Sequence, residues 1–192
     1  MSEALAVEVV TAPIKLDLGC GKNKKGPDWI GVDVIKFDGV DTVLDLAETG
    51  DTSPFPFKPW PWENDSVDEV HSSHFLEHLD AIQRIHFFNE LWRVLRKDAK
   101  AVIITPHWSS GRAYGDLSHK WPPVVEFFWY YLDKKWRADN APHIALTCDF
   151  ACGWGYSLAH PWGLKHQDVQ VFGWTHYREV AQDMITTCTA RK

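Results

Sequence analysis

The sequence predicts an open α/β sheet, mostly parallel, of seven strands and ending in an antiparallel hairpin. Three observations carry this. A short apolar strand runs into a tight turn at Leu16-Asp17-Leu18-Gly19-Cys20-Gly21, where two glycines flank one cysteine. A capped amphipathic helix lies between two strand patterns, and strand–helix–strand order implies a right-handed crossover and parallel pairing. Ala101 to Thr105 is a continuous, largely β-branched run of the kind buried on both faces of a parallel sheet.

Taken in order, Ile14 to Leu18, Trp29 to Val34, Val40 to Leu44 and Val67 to His71 read as the first four strands, and Ala101 to Thr105 as the fifth. Asp80 with Gln83 three residues on is a capping box, and it opens a helix whose expected inner face is Ala81, Ile85, Phe88, Leu91, Trp92 and Leu95. Residues 107–140 are rich in aromatics and read as an inserted cap with a helix from Val124 to Trp136. His143 to Phe150 and Gly153 to Leu158 are expected to form the hairpin, turning at Ala151-Cys152-Gly153. Gln167 to Thr187 is expected to be a closing helix, with Phe172, Tyr177, Val180, Ala181, Met184 and Cys188 inward.

Size and composition bound the function. A chain of 192 residues suits one domain, 1–192, with the cap at about 108–140. The net charge of −6 disfavours a protein that grips duplex phosphate, which needs a basic face. Neither a secretory leader nor an apolar run long enough for a membrane span is expected, and the four scattered cysteines suit reduced thiols in the cytoplasm rather than a disulfide framework. The eleven tryptophans and ten histidines are unusual, and both concentrate after residue 60.

In an open parallel sheet, ligands lie beyond the carboxyl ends of the strands. Gly19 and Gly21 end the first strand and let the backbone approach a ligand closely. Asp33 ends the second, where its carboxylate can accept from both ribose hydroxyls. Asp45 and Leu46 end the third, suited to an adenine amine and ring. His71 and Ser72 end the fourth, facing the reacting group. A dinucleotide cofactor is disfavoured, because Lys24 stands where its fingerprint needs a third glycine and Asp33 follows Gly21 by only twelve residues, leaving no room for the phosphate-binding helix.

These residues, with Pro61 to Val70, His74-Phe75-Leu76-Glu77-His78-Leu79 and Glu90-Leu91-Trp92-Arg93-Val94-Leu95, resemble the class I S-adenosylmethionine-dependent methyltransferases, in particular a small type-11-like group with a shortened first helix. The resemblance covers about residues 14–107. It implies a Rossmann-like three-layer sandwich, S-adenosylmethionine as cofactor and S-adenosylhomocysteine as product. It also implies a cofactor set of Asp17, Gly19, Cys20, Gly21, Asp33, Asp45, Leu46, His71 and Ser72. The sequence departs from the group where Arg96-Lys97-Asp98-Ala99 replaces a Pro-Gly-Gly turn, and where Asp51 to Pro59 lengthens a loop. That loop, with Phe55, Phe57, Trp60 and Trp62, reads equally as an aromatic lid or a surface plug.

If the acceptor must lose a proton, a histidine is the natural base, and His71, His107 and His119 are the candidates. The motifs of amino- and cytosine-methylating DNA enzymes are lacking after the fourth strand, where the chain reads His71-Ser72-Ser73-His74. With the acidic balance this favours a small molecule or sugar over nucleic acid, without settling the acceptor or the oligomeric state. No metal is expected: His71, His74 and His78 straddle a strand end and a helix, so their side chains should diverge. A non-catalytic module holding the cofactor or its product is the alternative reading.

Overall fold

The structure, a computed structural model, describes residues 12–48 and 57–192. Strands β1 (Lys15–Leu18), β2 (Ile30–Asp33), β3 (Thr42–Val43), β4 (Val67–Ser73), β5 (Leu95–Pro106), β6 (Phe150–Leu158) and β7 (Ala181–Ala190) form one sheet. Their order is β3-β2-β1-β4-β5-β7-β6, parallel through β5 and antiparallel at β7 and β6. The expected seven-stranded sheet with its terminal hairpin is present. The β1–β2 and β2–β3 connections carry no helix, as the short spacing to Asp33 requires.

Side chains alternate across a strand, so register sorts residues between the two faces. One row runs Leu16, Val70, Ala101, Cys188, Cys152, and all but Cys152 are fully buried. The adjacent row, Asp17, His71, Val102, Thr187, Gly153, points to the opposite face. Helix α1 (Ala81–Val94) packs Phe87, Phe88, Leu91 and Val94 into the core formed with the first row. Its start matches the sequence: the Asp80 carboxylate accepts from the Ile82 and Gln83 amides, and the Gln83 side chain accepts from the Asp80 amide. The buried stripe is rotated from the expected one. Ala81 is exposed, while Arg84 and Glu90 are buried and bonded inside. Glu90 accepts from Arg93 and from the Trp60 amide.

Three expectations are corrected. The closing helix ends early: α4 spans Gln167–His176, and Ala181, Met184 and Cys188 belong to β7. Positions 180, 184 and 188 are four apart, which satisfies a helix and is equally a multiple of the strand period. The buried Thr186 and Ala190 between and beyond them complete the alternation. The hairpin therefore pairs β6 with β7, and Gly153 lies inside β6 rather than at a turn. The helix expected from Val124 to Trp136 is divided into a 3-10 helix, Glu126–Leu132, and α3 (Lys134–Asn140). Asp133 divides them by accepting from the Trp136 amide as an N-cap.

Trp129 and Leu132 of the 3-10 helix are buried in the main core, with Trp129 edge-on to Phe88. This segment packs beside α1 as part of the molecule's body. The shorter α2 (Arg112–Gly115) and the loop after it stand by the carboxyl ends of the parallel strands, where the Lys120 amide donates to the Glu77 carbonyl and Arg112 pairs with Asp183. Of the proposed lid, Phe55 lies outside the described residues; Trp60 is buried in the core and Phe57 stacks on His86. Among the described residues no helix is long and apolar enough to cross a membrane.

Asp80→Ala removes both side-chain acceptors at the start of α1 and is expected to cost about 1 kcal/mol. Urea unfolding of the wild type and variant checks this; an unchanged midpoint would mean that core packing alone fixes the helix start.

Candidate active site

The turn after β1 is built by its neighbours. Gly19 and Gly21 have φ of 69° and 53°, a region costly for other residues. A Cβ on Gly19 would lie 2.5 Å from the Phe75 ring, so the position excludes side chains by contact as well as conformation. The Gly19 and Cys20 amides both donate to the Val32 carbonyl, at 2.8 and 3.1 Å. The Gly21 amide donates to Asp33 Oδ2 at 2.9 Å, and the Ile35 amide to Asp33 Oδ1 at 2.9 Å.

Asp17 ties this turn to the sheet. It is only 2% exposed, yet both its oxygens are engaged. Oδ2 accepts from the Lys25 amide at 2.8 Å, and Oδ1 is 2.7 Å from His71 Nδ1. The Trp29 indole stands edge-on to His71, and the Lys25 ammonium lies 4.5 Å from the Trp29 ring. The segment that carries no helix is thus held by one carboxylate and one indole.

A cavity of about 270 Å³ opens here, walled by Asp17, Gly19, Cys20, Asn23, His71, Ser73 and His74. Four residues expected at the cofactor line it: Asp17, Gly19, Cys20 and His71. Gly21 and Asp33 stand at its edge, joined to it by the Gly21–Asp33 hydrogen bond. The rest are dispersed. Ser72 is fully buried on the other face, donating to the Leu18 carbonyl at 2.9 Å. Leu46 is in the core with its carbonyl accepting from the Trp60 indole, and Asp45 is exposed, accepting from the Ala47 amide. Burial holds the Cys20 thiol above its usual range, and the carboxylates of Asp17 and Asp33 add to this.

The three histidines expected as bases have different surroundings. His71 keeps Nε2 without a hydrogen-bond partner among the described residues. His107 is 2% exposed and has both ring nitrogens engaged, Nδ1 with Ser109 Oγ at 2.8 Å and Nε2 with Glu126 at 3.0 Å. It is turned toward the Glu126–Tyr156 cluster, not toward the cavity. His119 lies on the loop after α2, with Nδ1 3.1 Å from the Ala113 carbonyl. The sequence reading leaves out Asn23, and it places Ser73 and His74 after the fourth strand without giving them to the cofactor. Their signal is position: Ser73 ends β4, His74 follows it, and Asn23 is in the turn. It also left out Val34 and Ile35, which are 58% and 56% exposed beside Asp33, and whose apolar character on an open surface marks them. The hydrogen bond to Glu77 raises the His74 pKa above its usual value against an opposing contribution from burial. A separate apolar groove of about 170 Å³, between α1 and residues 122–146, shares none of these residues.

Residues 16–103 match the methyltransferase domain family. Among solved structures, the chain is similar to an S-adenosylmethionine-dependent methyltransferase from Archaeoglobus fulgidus, with TM-score 0.61 and 17% identity over 93% of this chain and 86% of that one. It is also similar to a Burkholderia thailandensis 1,6-didemethyltoxoflavin-N1-methyltransferase bound to 1,6-didemethyltoxoflavin and S-adenosylhomocysteine, with TM-score 0.52 and 13% identity over 94% of this chain and 72% of that one. No curated protein sequence matches the chain. The strand order is that of the fold these solved structures share, and residues 16–103 carry the likeness to a methyltransferase domain.

Glu126 supplies a pH test away from the cavity. Although burial opposes it, hydrogen bonds from His107, its own backbone and Tyr156 lower its pKa from 4.5 to about 2. A depressed carboxylate stabilises the fold fully above the unfolded value, and that contribution is lost as pH falls from about 4.5 towards 2. Wild-type stability should therefore drop over this window more steeply than that of Glu126→Gln, in urea titrations at stepped pH. Parallel curves would mean that Glu126 titrates alike in the folded and unfolded chain.

Proposed function

We propose that the cavity beside Gly19 and His71 takes the methionine end of S-adenosylmethionine, and that the methyl group passes to a small-molecule acceptor. The observation that carries this reading is the pair formed by the buried Asp17 and the half-buried His71 in the cavity wall, 2.7 Å apart. An ionised Asp17 accepts from His71 Nδ1–H, which leaves the Nε2 lone pair free to accept a proton.

The residues fit the cofactor. Asp33 spends one lone pair of each oxygen on the Gly21 and Ile35 amides, and a carboxylate has about four acceptor sites. The remaining two suit the paired hydroxyls of a ribose. Val34 and Ile35 offer an exposed apolar surface beside it for an adenine ring. Asp17, already satisfied on both oxygens, adds negative potential where a sulfonium and an amino group would lie.

When bound, the sulfonium supplies an activated methyl group for in-line displacement. The chain's own residues then have three tasks. The Gly19–Gly21 turn fixes position, which is the main protein contribution to such a transfer. His71, held by Asp17 in one tautomer, takes the proton from an acceptor that must lose one. The loop after α2 and the His74 ring border the acceptor's side and limit water. The small cavity and the net charge of −6 support a small acceptor over a nucleic acid.

Calorimetry with S-adenosylhomocysteine tests the cofactor half. Asp33→Ala should weaken binding by about 1–3 kcal/mol, the scale of hydrogen bonds to a charged group. Unchanged affinity would remove Asp33 from the ribose. For the acceptor, S-adenosylhomocysteine formation is measured against panels of small metabolites, sugars, DNA and RNA. Turnover with a small molecule or sugar is expected; turnover confined to nucleic acid would overturn the reading.

A further inference from the structure

Beside the cavity, the fold gathers three side chains that are far apart in chemical role and partly in sequence. One ligand atom from each of Glu77, His78 and His119 lies within 4.8 Å of the other two. We infer that Glu77, His78 and His119 form a binding site for one divalent cation of the zinc class.

The hydrogen bonds around the set carry the argument. His119 Nδ1 is 3.1 Å from the Ala113 carbonyl. A carbonyl only accepts, so Nδ1 carries the proton and Nε2 presents a lone pair. His78 Nδ1 is 2.9 Å from Ser118 Oγ, and that hydroxyl donates onward to Asp116 Oδ1 at 2.6 Å. With its one hydrogen spent on Asp116, Ser118 accepts from His78 Nδ1–H, and His78 Nε2 is also left with a lone pair. Metal-bound histidines usually have the other ring nitrogen braced by a hydrogen-bond acceptor, here a carbonyl for His119 and a hydroxyl oriented by a carboxylate for His78.

Glu77 is the independent observation. It is 4% exposed, and its Oε2 is buried with no hydrogen-bond partner. Its other oxygen is 3.2 Å from His74 Nδ1. Arg84 is near enough for the two charges to act on each other, but its guanidinium donates to the Leu76 and Pro122 carbonyls, its Nη2 is likewise buried without a partner, and no hydrogen bond or ion pair joins it to Glu77. Leaving a buried carboxylate oxygen unpaired is costly. Here two imidazoles that each keep a lone pair come together with a carboxylate that keeps an unpartnered oxygen. A cation answers all three.

The donor set selects the cation. Two imidazoles and one carboxylate suit zinc and its first-row neighbours rather than magnesium or calcium, which prefer all-oxygen shells. Zinc bonds of about 2.0–2.1 Å place tetrahedral ligands roughly 3.3 Å apart, so the set must close slightly. Both imidazoles are only partly buried and can rotate to do so. Three protein ligands leave a position open for water or another ligand, the arrangement of a working site rather than a closed structural one. The sequence spacing of His71, His74 and His78 misses this set, because the fold sends His71 to Asp17 and His74 to Glu77 and Asp183, and brings His119 from the loop after α2 to His78.

The test uses the full chain and zinc alone. Calorimetry and equilibrium dialysis should give one zinc per chain, with His78→Ala and His119→Ala each weakening it at least tenfold, while His176→Ala on exposed α4 leaves it unchanged. X-ray absorption of the zinc-loaded protein should show two imidazoles and an oxygen at about 2.0–2.1 Å. Circular dichroism keeps misfolding apart from ligand loss. The inference is overturned if no stoichiometric zinc binds, if binding survives both histidine substitutions, or if His176→Ala removes it.

Discussion

One buried carboxylate organises the end of the sheet where the parallel strands finish. Asp17 is near the carboxyl end of β1, beside the central strand β4, almost wholly removed from water, and holds the Lys25 amide with one oxygen and His71 with the other. A charge in that position would be prohibitive without such partners. With them it does the work that a helix after β1 would otherwise do: it fastens the returning chain to the sheet. The Gly19–Gly21 turn is then fixed at both ends, by Val32 and Asp33 on one side and by Asp17 on the other.

The same register distributes the histidines among separate tasks. Alternation along β4 puts His71 on the Asp17 face and Ser72 in the core. His74, just past the strand at φ of 54°, turns towards Glu77 and Asp183. His107 begins the chain's departure from β5 and is enclosed by Ser109, Glu126 and Tyr156, a cluster that also raises the Tyr156 pKa to about 12 through burial and the Glu126 charge. So the carboxyl ends of the strands offer two histidines, His71 and His74, to the cavity wall and one, His107, to the packing of the 3-10 helix. Their sequence neighbourhoods look alike; only the strand phase separates them.

Much of the fold was legible because its signals were local. The Gly-Cys-Gly turn and the Asp80–Gln83 box are where the sequence puts them, and the Ala101–Thr105 run lies inside β5, which starts earlier, at Leu95, in residues expected to end the helix and turn. The C-terminal strand was misread because apolar residues at 180, 184 and 188 obey both periods, and because the buried Thr186 does not look like core. The aromatic segment was misread because Asp133 interrupts it with a cap. At the site, Asp17, Gly19, Cys20 and His71 were visible as strand-end residues that share one wall. Ser72 and His107 were not resolved from them, since position at a strand end does not give the direction of the side chain. Glu77 and His119 could not be joined by spacing at all: their contact depends on the Lys120–Glu77 backbone bond that brings the loop after α2 to β4.

The most direct test of the role given to Asp17 is hydrogen exchange on Asp17→Asn, together with S-adenosylhomocysteine binding. Asparagine keeps the shape but has one acceptor oxygen for two donors, so it cannot hold both Lys25 and His71 in the present tautomer. The account predicts faster exchange at the amides of residues 19–25, at least tenfold weaker binding, and unchanged protection in α1 and β5. Unaltered exchange in the turn with full affinity would contradict it.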